Sequence, residues 1–191
     1  MIWLSDKTLN SLMTAQSLHK DLCCYSKSCI AHLLQDHYHF GGVYPADEIP
    51  PHQKHPVCYI INSDPKKKPG EHWLAYYQDD TGCEFFDSYG KEPQCYPHIY
   101  TWLQKAPFPV INLKVRIQGP QAYCGAYVYF YLNERSFYKS MHHLFFESPA
   151  HHFNYASRND TYTPQMMKDY LGRNDTYVFQ YLFRNVKQIL K

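Results

Sequence analysis

Long hydrophobic runs are missing from this sequence. No apolar stretch approaches the roughly 18–20 residues that a membrane-spanning helix needs, so no membrane association is expected. The first residues, MIWLSDKTLN, have neither the basic start nor the long apolar core of a signal peptide, so we expect a protein that is not secreted. Charge of one sign is also scarce, since the formal net charge is +2. Binding to nucleic acid needs clustered Lys and Arg, so we expect it to be weak or absent.

A disulfide framework is missing as well. The chain has 7 cysteines, an odd number at irregular spacing, unlike the paired cysteines of small secreted domains. Three cysteines and two histidines lie between His19 and His32, but their spacings match no regular pairing of zinc ligands. We therefore expect a reducing intracellular environment, no metal site and no cofactor required for chemistry.

The composition that is present predicts a folded globule. Among 191 residues, 45% are hydrophobic and 17% are aromatic, enough for a sizeable core in one domain that spans residues 1–191. The continuous apolar run Val57–Asn62 predicts a strand covered on both faces. One apolar run follows His72, and another begins at Cys83. The turn residues 79–82 separate the two runs, so they predict two antiparallel strands. The segment 108–117 predicts a further strand, and the Pro- and Gly-rich segment 41–56 predicts an exposed loop.

Helical patterns lie between and around these strands. Apolar spacing and capping residues predict helices over residues 5–19, 97–104 and 163–172, and a last helix capped by Asp175 or Thr176. The fold class expected from both sets of elements is α+β, with a central mixed or antiparallel sheet between helices.

The segment QGPQAYCGAYVYFYL, residues 118–132, predicts a loop that leads into a buried helix beginning at Cys124. A thiol at a helix N-terminus faces unpaired backbone N–H groups and the positive end of the helix dipole, which favour the thiolate. Gly125 leaves the approach to the sulfur open. Taken alone, the pattern more often marks an inert cysteine in a core helix, so the rest of the chain has to decide.

A nucleophilic cysteine needs a base, and the base needs a group that orients it. His72 stands at the start of one predicted strand, and Asp87 ends the next one in the motif FFDSYG. Two antiparallel strands joined in this way bring His72 and Asp87 to the same rim of the sheet. The chain order of the candidate site is then His72, Asp87, Gln118 and Cys124.

Four motifs together resemble the adenovirus maturation protease (adenain) family, which has relatives in large virus-like DNA transposons, and more remotely the SUMO proteases. They are FGGVYPADEIP, YIINSDPKKKPGEHWLAYY, FFDSYG and QGPQAYCGAYVYFYL, within residues 40–132. The resemblance implies an adenain-like cysteine protease fold, with the nucleophile at the N-terminus of a buried helix. It also implies that Cys124 is the nucleophile, His72 the general base and Asp87 the orienting acid.

Two positions depart from the adenoviral pattern. That family usually has Glu in an FEPFG-like motif, whereas FDSYG with Asp87 is closer to the SUMO proteases. Gln118 matches the glutamine that completes the oxyanion hole, and it lies six residues before Cys124, one fewer than the usual adenoviral spacing. Gln121 therefore remains an alternative oxyanion donor.

The resemblance implies a cysteine endopeptidase that matures capsid and core precursors of a virus or virus-like element by cleavage beside Gly-Gly or Gly-x-Gly sites. Its expected location is the host nucleus or the virion, and we expect a monomer. One alternative is a protease that removes ubiquitin-like modifiers, which also end in Gly-Gly. The other is a catalytically silent binding domain on the same scaffold.

Activation is expected to differ from that of the adenoviral relatives, which are stimulated by DNA and by a peptide held partly through a disulfide. The corresponding region here, APFPVINLKVRIQ, contains no cysteine. Any activating peptide is therefore expected to bind non-covalently, and DNA to stimulate little.

Overall fold

The computed structural model describes residues 27–119, 124–135, 172–178 and 181. The predicted helix over residues 5–19 and residues 163–171 of the next predicted helix lie outside these ranges. The described elements are α1 (Lys27–Leu33), β1 (Phe40–Pro45), β2 (Val57–Asn62), β3 (Trp73–Gln78), β4 (Cys83–Phe86), a short 3₁₀ turn (Pro93–Cys95), α2 (Pro97–Leu103), β5 (Val110–Asn112) and α3 (Cys124–Arg135). Residues 172–178 and 181 are also helical.

The strands form a mixed sheet in the order β1-β2-β3-β4-β5. Strands β2, β3 and β4 are antiparallel neighbours, whereas β1 and β5 pair in parallel with β2 and β4 at the two edges. The predicted α+β class is confirmed, and the strands expected at β2, β3 and β4 are present.

Helices cover both faces of the sheet. Alternate residues of β2 show this, because Ile60 packs in the cluster that contains α3 and α1, while Tyr59 and Ile61 pack in the cluster that contains α2. Five of the six β2 residues are buried, which confirms the prediction of a strand covered on both faces. Each fully buried Val, Leu, Ile or Phe side chain contributes about 1.5–3 kcal/mol to folding relative to an exposed one.

Helix α3 is buried from Cys124 to Leu132, so it is apolar on every side rather than amphipathic. Its C-terminal end is fixed to β4, because Arg135 Nε donates to Glu84 Oε2 at 2.8 Å and Tyr131 Oη donates to the same oxygen at 2.7 Å. Removing one partner of such a buried ion pair typically destabilises a protein by about 3–5 kcal/mol. These contacts set the axis of α3 and thereby the position of Cys124 at its other end.

Two predictions for the sheet edges were wrong. Residues 41–45 of the predicted loop belong to β1 (Phe40–Pro45), whose register is irregular between Phe40 and Gly42, and Gly42 has φ of 126°. The glycines and the proline in this segment favour a loop in sequence-based prediction, but both residue types are tolerated at a sheet edge. The predicted strand over residues 108–117 pairs only at Val110–Asn112. The chain then leaves the sheet, and the N–H groups of Ile117 and Gln118 both donate to Ser88 O.

The predicted start of the last helix was also wrong. Residues 172–178 are helical, so Asp175 and Thr176 lie within a helix and Gly172 does not end one. Asp175 makes tertiary contacts instead of capping, since its Oδ1 accepts from Gly119 N at 2.9 Å and from Tyr127 Oη at 2.9 Å. In the part of the chain that is described, no helix has the length and apolar character needed to cross a membrane.

Candidate active site

His72 and Asp87 meet at one rim of the sheet, next to the start of β3 and the end of β4. Ala75 pairs with Phe86 in the antiparallel register, so the same register continued to the rim brings His72 opposite Tyr89. His72 Nε2 donates a hydrogen bond to Asp87 Oδ1 at 2.7 Å, and both side chains are buried. Because Nε2 faces Asp87, Nδ1 is the ring nitrogen on the opposite side of the imidazole.

The Asp87 carboxylate is held on both oxygens. Tyr96 Oη donates to Oδ2 at 2.7 Å, and the backbone N–H of Tyr89 donates to Oδ1 at 2.8 Å. Burial raises the pKa of Asp87, but the hydrogen bond and charge of His72, followed by the bonds from Tyr96 and Tyr89, leave that pKa below its usual value. Asp87 is therefore an ionised carboxylate that orients the imidazole.

Cys124 begins α3 and is only 8% exposed. Cys124 and His72 line the same groove. Burial lowers the pKa of His72, but hydrogen bonds to Asp87 and Cys124, together with their negative charges, outweigh burial and raise the pKa to about 9. The imidazole therefore carries a proton at neutral pH, as a thiolate–imidazolium pair requires.

Gln118 lies beside this pair in a fully buried position. Its Oε1 accepts a hydrogen bond from Ser88 Oγ at 2.5 Å, and its Nε2 donates to Tyr89 Oη at 3.3 Å. The Tyr89 ring is stacked on His72, with 4.7 Å between the ring centroids. The structure thus brings His72, Asp87, Gln118 and Cys124 to one site, whereas Gln121 lies outside the described residues.

A tight turn at Gly90 makes this arrangement possible. Gly90 N donates to Asp87 O at 2.9 Å, and Gly90 has φ of 68°, a conformation that glycine adopts without strain. A Cβ at this position would lie 2.5 Å from the backbone carbon of Val115. Because Gly90 has no side chain, the segment after β5 can lie directly against this turn, and Gln118 then reaches Ser88.

Three residues of the site were not predicted from the sequence. Ser88 and Tyr89 are in the motif FDSYG, but nothing in that motif alone shows that they hold Gln118. Tyr96 precedes α2 on a different element, and only the tertiary structure brings its hydroxyl to Asp87. The cysteine- and histidine-rich segment considered as a zinc site lies largely outside the described residues.

A groove of about 450 Å³ opens at Cys124 and His72. It runs along the ends of β1 and β2 toward the loop that contains Lys66 and Lys68. Those two lysines pair with Glu48 at 2.9 Å and with Asp64 at 3.5 Å. The rest of its wall includes Val43, Tyr44, Asn62, Gly70 and Trp73.

Comparisons with known proteins identify no family. No family model matches the chain, and no curated protein matches it. Among solved structures, the chain is similar to the Se-Met ASFV pS273R protease with a TM-score of 0.35 and 23% sequence identity. The match covers 63% of this chain and 43% of that chain, less than half of its length. At this TM-score the similarity assigns neither a family nor an activity, so the function has to be argued from the site.

Proposed function

We propose that this protein is a cysteine endopeptidase in which Cys124 is the nucleophile. The observation that carries the proposal is the buried His72 imidazole, which is bonded to the Asp87 carboxylate at 2.7 Å and lines the same groove as Cys124, whose side chain also raises the pKa of His72. A thiol, a base and a group that orients the base, in hydrogen-bonded sequence, are the parts that nucleophilic catalysis needs.

The proposed reaction has two halves. The Cys124 proton passes to His72, and the thiolate sulfur bonds to the scissile carbonyl carbon while the carbonyl electrons move to its oxygen. When this intermediate collapses, the C–N bond breaks and His72 gives its proton to the leaving amine. A water then bonds to the acyl carbon as its proton passes to His72. When this second intermediate collapses, the bond between the acyl carbon and sulfur breaks and the acid leaves, which regenerates the Cys124 thiolate beside the protonated His72.

The negative oxygen in both halves needs donors that are already in place. Gln118 Nε2 and the backbone N–H of Cys124 are the proposed donors. The amide of Gln118 is fixed by Ser88 and Tyr89, so little reorganisation is needed when charge develops. One such donor is commonly worth about 3–4 kcal/mol of transition-state stabilisation.

The proposed substrates are proteins cut beside Gly-Gly or Gly-x-Gly sites. The groove beside Cys124, whose wall includes Trp73 and Tyr44, is the proposed place for the peptide, and the preference for glycine is what the resemblance to the adenain family implies. The sequence motifs that resemble the adenain family support capsid or core precursors of a virus or virus-like element as the targets. The same proposal includes the place of action, which is the host nucleus or the virion, and a monomeric state. It also includes activation by a peptide that binds non-covalently and little response to DNA.

The test is cleavage of a mixed peptide library, with mass spectrometry to locate each cut. We expect cuts beside glycine pairs, in the presence of reductant and with little change on adding DNA at physiological salt. A control reaction with iodoacetamide-treated protein should show no cuts. The absence of cleavage in every condition would contradict the endopeptidase function. Cuts with no preference for glycine would contradict the proposed specificity.

Removal of ubiquitin-like modifiers is the second candidate function. Asp87 as the orienting acid and the spacing from Gln118 to Cys124 favour it, because both resemble the SUMO proteases. A folded ubiquitin-like protein extended beyond its Gly-Gly end separates the two functions. Faster cleavage of that substrate than of the matching free peptide would favour deconjugation.

The pH dependence follows from His72. The active form needs a protonated imidazole, and the His72 pKa is raised to about 9, so activity should persist at neutral pH and fall as the pH rises through about 9. The measurement is kcat/KM against pH on a glycine-pair peptide. Asp87→Asn should move the alkaline limb to lower pH, because it removes the charge that favours the imidazolium. An alkaline limb near the ordinary histidine pKa in the wild-type protein would contradict this assignment.

Gln118 and Gln121 are distinguished by substitution. Gln118→Ala should lower kcat by about 10²–10³ with little change in KM, because it removes a donor that acts on the transition state. Gln121→Ala is the matched control and should change kcat much less. The opposite ranking would assign the oxyanion role to Gln121.

A further inference from the structure

Tyr89 contacts three residues of the candidate site at once. Its ring is stacked on the His72 imidazole, with a centroid distance of 4.7 Å and an interplanar angle of 27°. Its hydroxyl accepts the hydrogen bond from Gln118 Nε2 at 3.3 Å, and its backbone N–H donates to Asp87 Oδ1 at 2.8 Å. The base, its orienting acid and the proposed oxyanion donor therefore share one neighbour.

The Tyr89 ring is itself held in place by Arg116. The guanidinium carbon of Arg116 lies 5.1 Å from the centroid of the Tyr89 ring, within the range of a cation–π interaction. Arg116 is fixed in turn, because its Nε donates to Gln118 O at 2.8 Å and its Nη2 donates to Gly119 O at 3.3 Å. The backbone that carries Gln118 thus determines where the ring lies.

The hydroxyl of Tyr89 determines how the Gln118 amide is turned. Ser88 holds Oε1 of this amide, and Tyr89 takes one of the two hydrogens on Nε2. With both ends of the amide engaged, rotation about its last bond is restricted.

The ring of Tyr89 acts on the protonation of His72. The face of an aromatic ring is negative, so a stacked imidazolium is stabilised relative to a neutral imidazole. Among the described residues, the titratable side chains that raise the pKa of His72 are Asp87 and Cys124, and both favour the same charged form. Burial and the negative charge of Cys124 raise the pKa of Tyr89, which keeps its hydroxyl neutral at physiological pH.

We propose that Tyr89 is a positioning residue that holds the His72 imidazolium with its ring and the Gln118 amide with its hydroxyl. The kinetic part of this inference rests on the proposed protease function. The contacts themselves predict two separable effects, one for the hydroxyl and one for the ring.

Two substitutions separate the effects, and a third is the control. Tyr89→Phe removes the hydroxyl and keeps the ring, whereas Tyr89→Leu removes both and keeps an apolar side chain. Tyr38→Phe is the matched control, because Tyr38 is 92% exposed. For each variant the measurements are kcat and KM on a glycine-pair peptide, the NMR titration of the His72 imidazole, and the NMR signals of the Gln118 side-chain amide.

Tyr89→Phe should lower kcat about tenfold with KM unchanged, since one hydrogen bond that orients the donor is lost. It should shift the Gln118 amide signals and leave the His72 titration where it is. Tyr89→Leu should lower kcat further and move the His72 titration, and with it the alkaline limb of activity, to lower pH. Tyr38→Phe should behave like the wild-type protein in all three measurements.

Each result has a definite meaning. Wild-type kcat together with unchanged Gln118 amide signals in Tyr89→Phe would overturn the role of the hydroxyl. An unchanged His72 titration in folded Tyr89→Leu would overturn the role of the ring. If the wild-type protein cleaves no peptide, the proposed function fails, but the two NMR measurements still decide whether Tyr89 positions His72 and Gln118.

Discussion

Replacing Cys124 with alanine is expected to eliminate peptide cleavage and leave the fold intact. The substitution removes the sulfur that bonds to the scissile carbonyl, and loss of a nucleophile in such a site lowers kcat by about 10⁶. Alanine differs from cysteine by little volume, so the free energy of unfolding should change by no more than about 1–2 kcal/mol. Peptide turnover and urea unfolding of the same preparation measure the two effects together.

The control for this variant is Cys95→Ala. Cys95 is exposed in the short 3₁₀ turn, so its removal should change neither turnover nor stability. Iodoacetamide supplies an independent comparison, because it should modify Cys124 at neutral pH and leave Cys58 unmodified. Retained turnover in Cys124→Ala would overturn the proposed function, and loss of turnover in Cys95→Ala would show that a second thiol takes part.

Replacing His72 with alanine is expected to be nearly as severe, with kcat lowered by about 10⁴–10⁶. Without the imidazole, no group takes the thiol proton or returns it to the leaving amine. The variant also leaves the buried Asp87 carboxylate without its charged partner, which should destabilise the protein by about 3–5 kcal/mol. Turnover therefore has to be compared at a temperature where thermal unfolding shows that both proteins are folded.

His98→Ala is the matched control, since His98 is exposed at the start of α2 and should leave turnover unchanged. Asp87→Ala should be milder than His72→Ala, because the thiolate–imidazolium pair can form without its orienting acid. An equal loss in both would show that Asp87 also holds the fold through Tyr96, whose hydroxyl donates to it. Wild-type turnover in His72→Ala would remove this histidine from the mechanism.

The local sequence pattern was sufficient to predict secondary structure where a segment is uniformly apolar. Val57–Asn62 is apolar at every position but the last, and it forms β2 with both faces covered. The buried helix predicted from Cys124 onward is present as α3 (Cys124–Arg135), because its residues are apolar or aromatic almost without interruption up to Leu132. Segments in which composition and pairing conflict were mispredicted, since β1 owes its strand conformation to hydrogen bonds with β2 rather than to its own residues.

The candidate site also has a part that the sequence predicted and a part that only the tertiary structure showed. The sequence alone identified the candidate residues, because His72, Asp87, Gln118 and Cys124 can be found in order in the motifs that contain them. Only the tertiary structure decided which neighbours hold those groups. Tyr96 bonds to Asp87 from another element, and Tyr89 meets His72 because of the register between β3 and β4. Such contacts depend on how distant segments are packed, and the pattern of each segment taken by itself does not show which side chains that packing brings together.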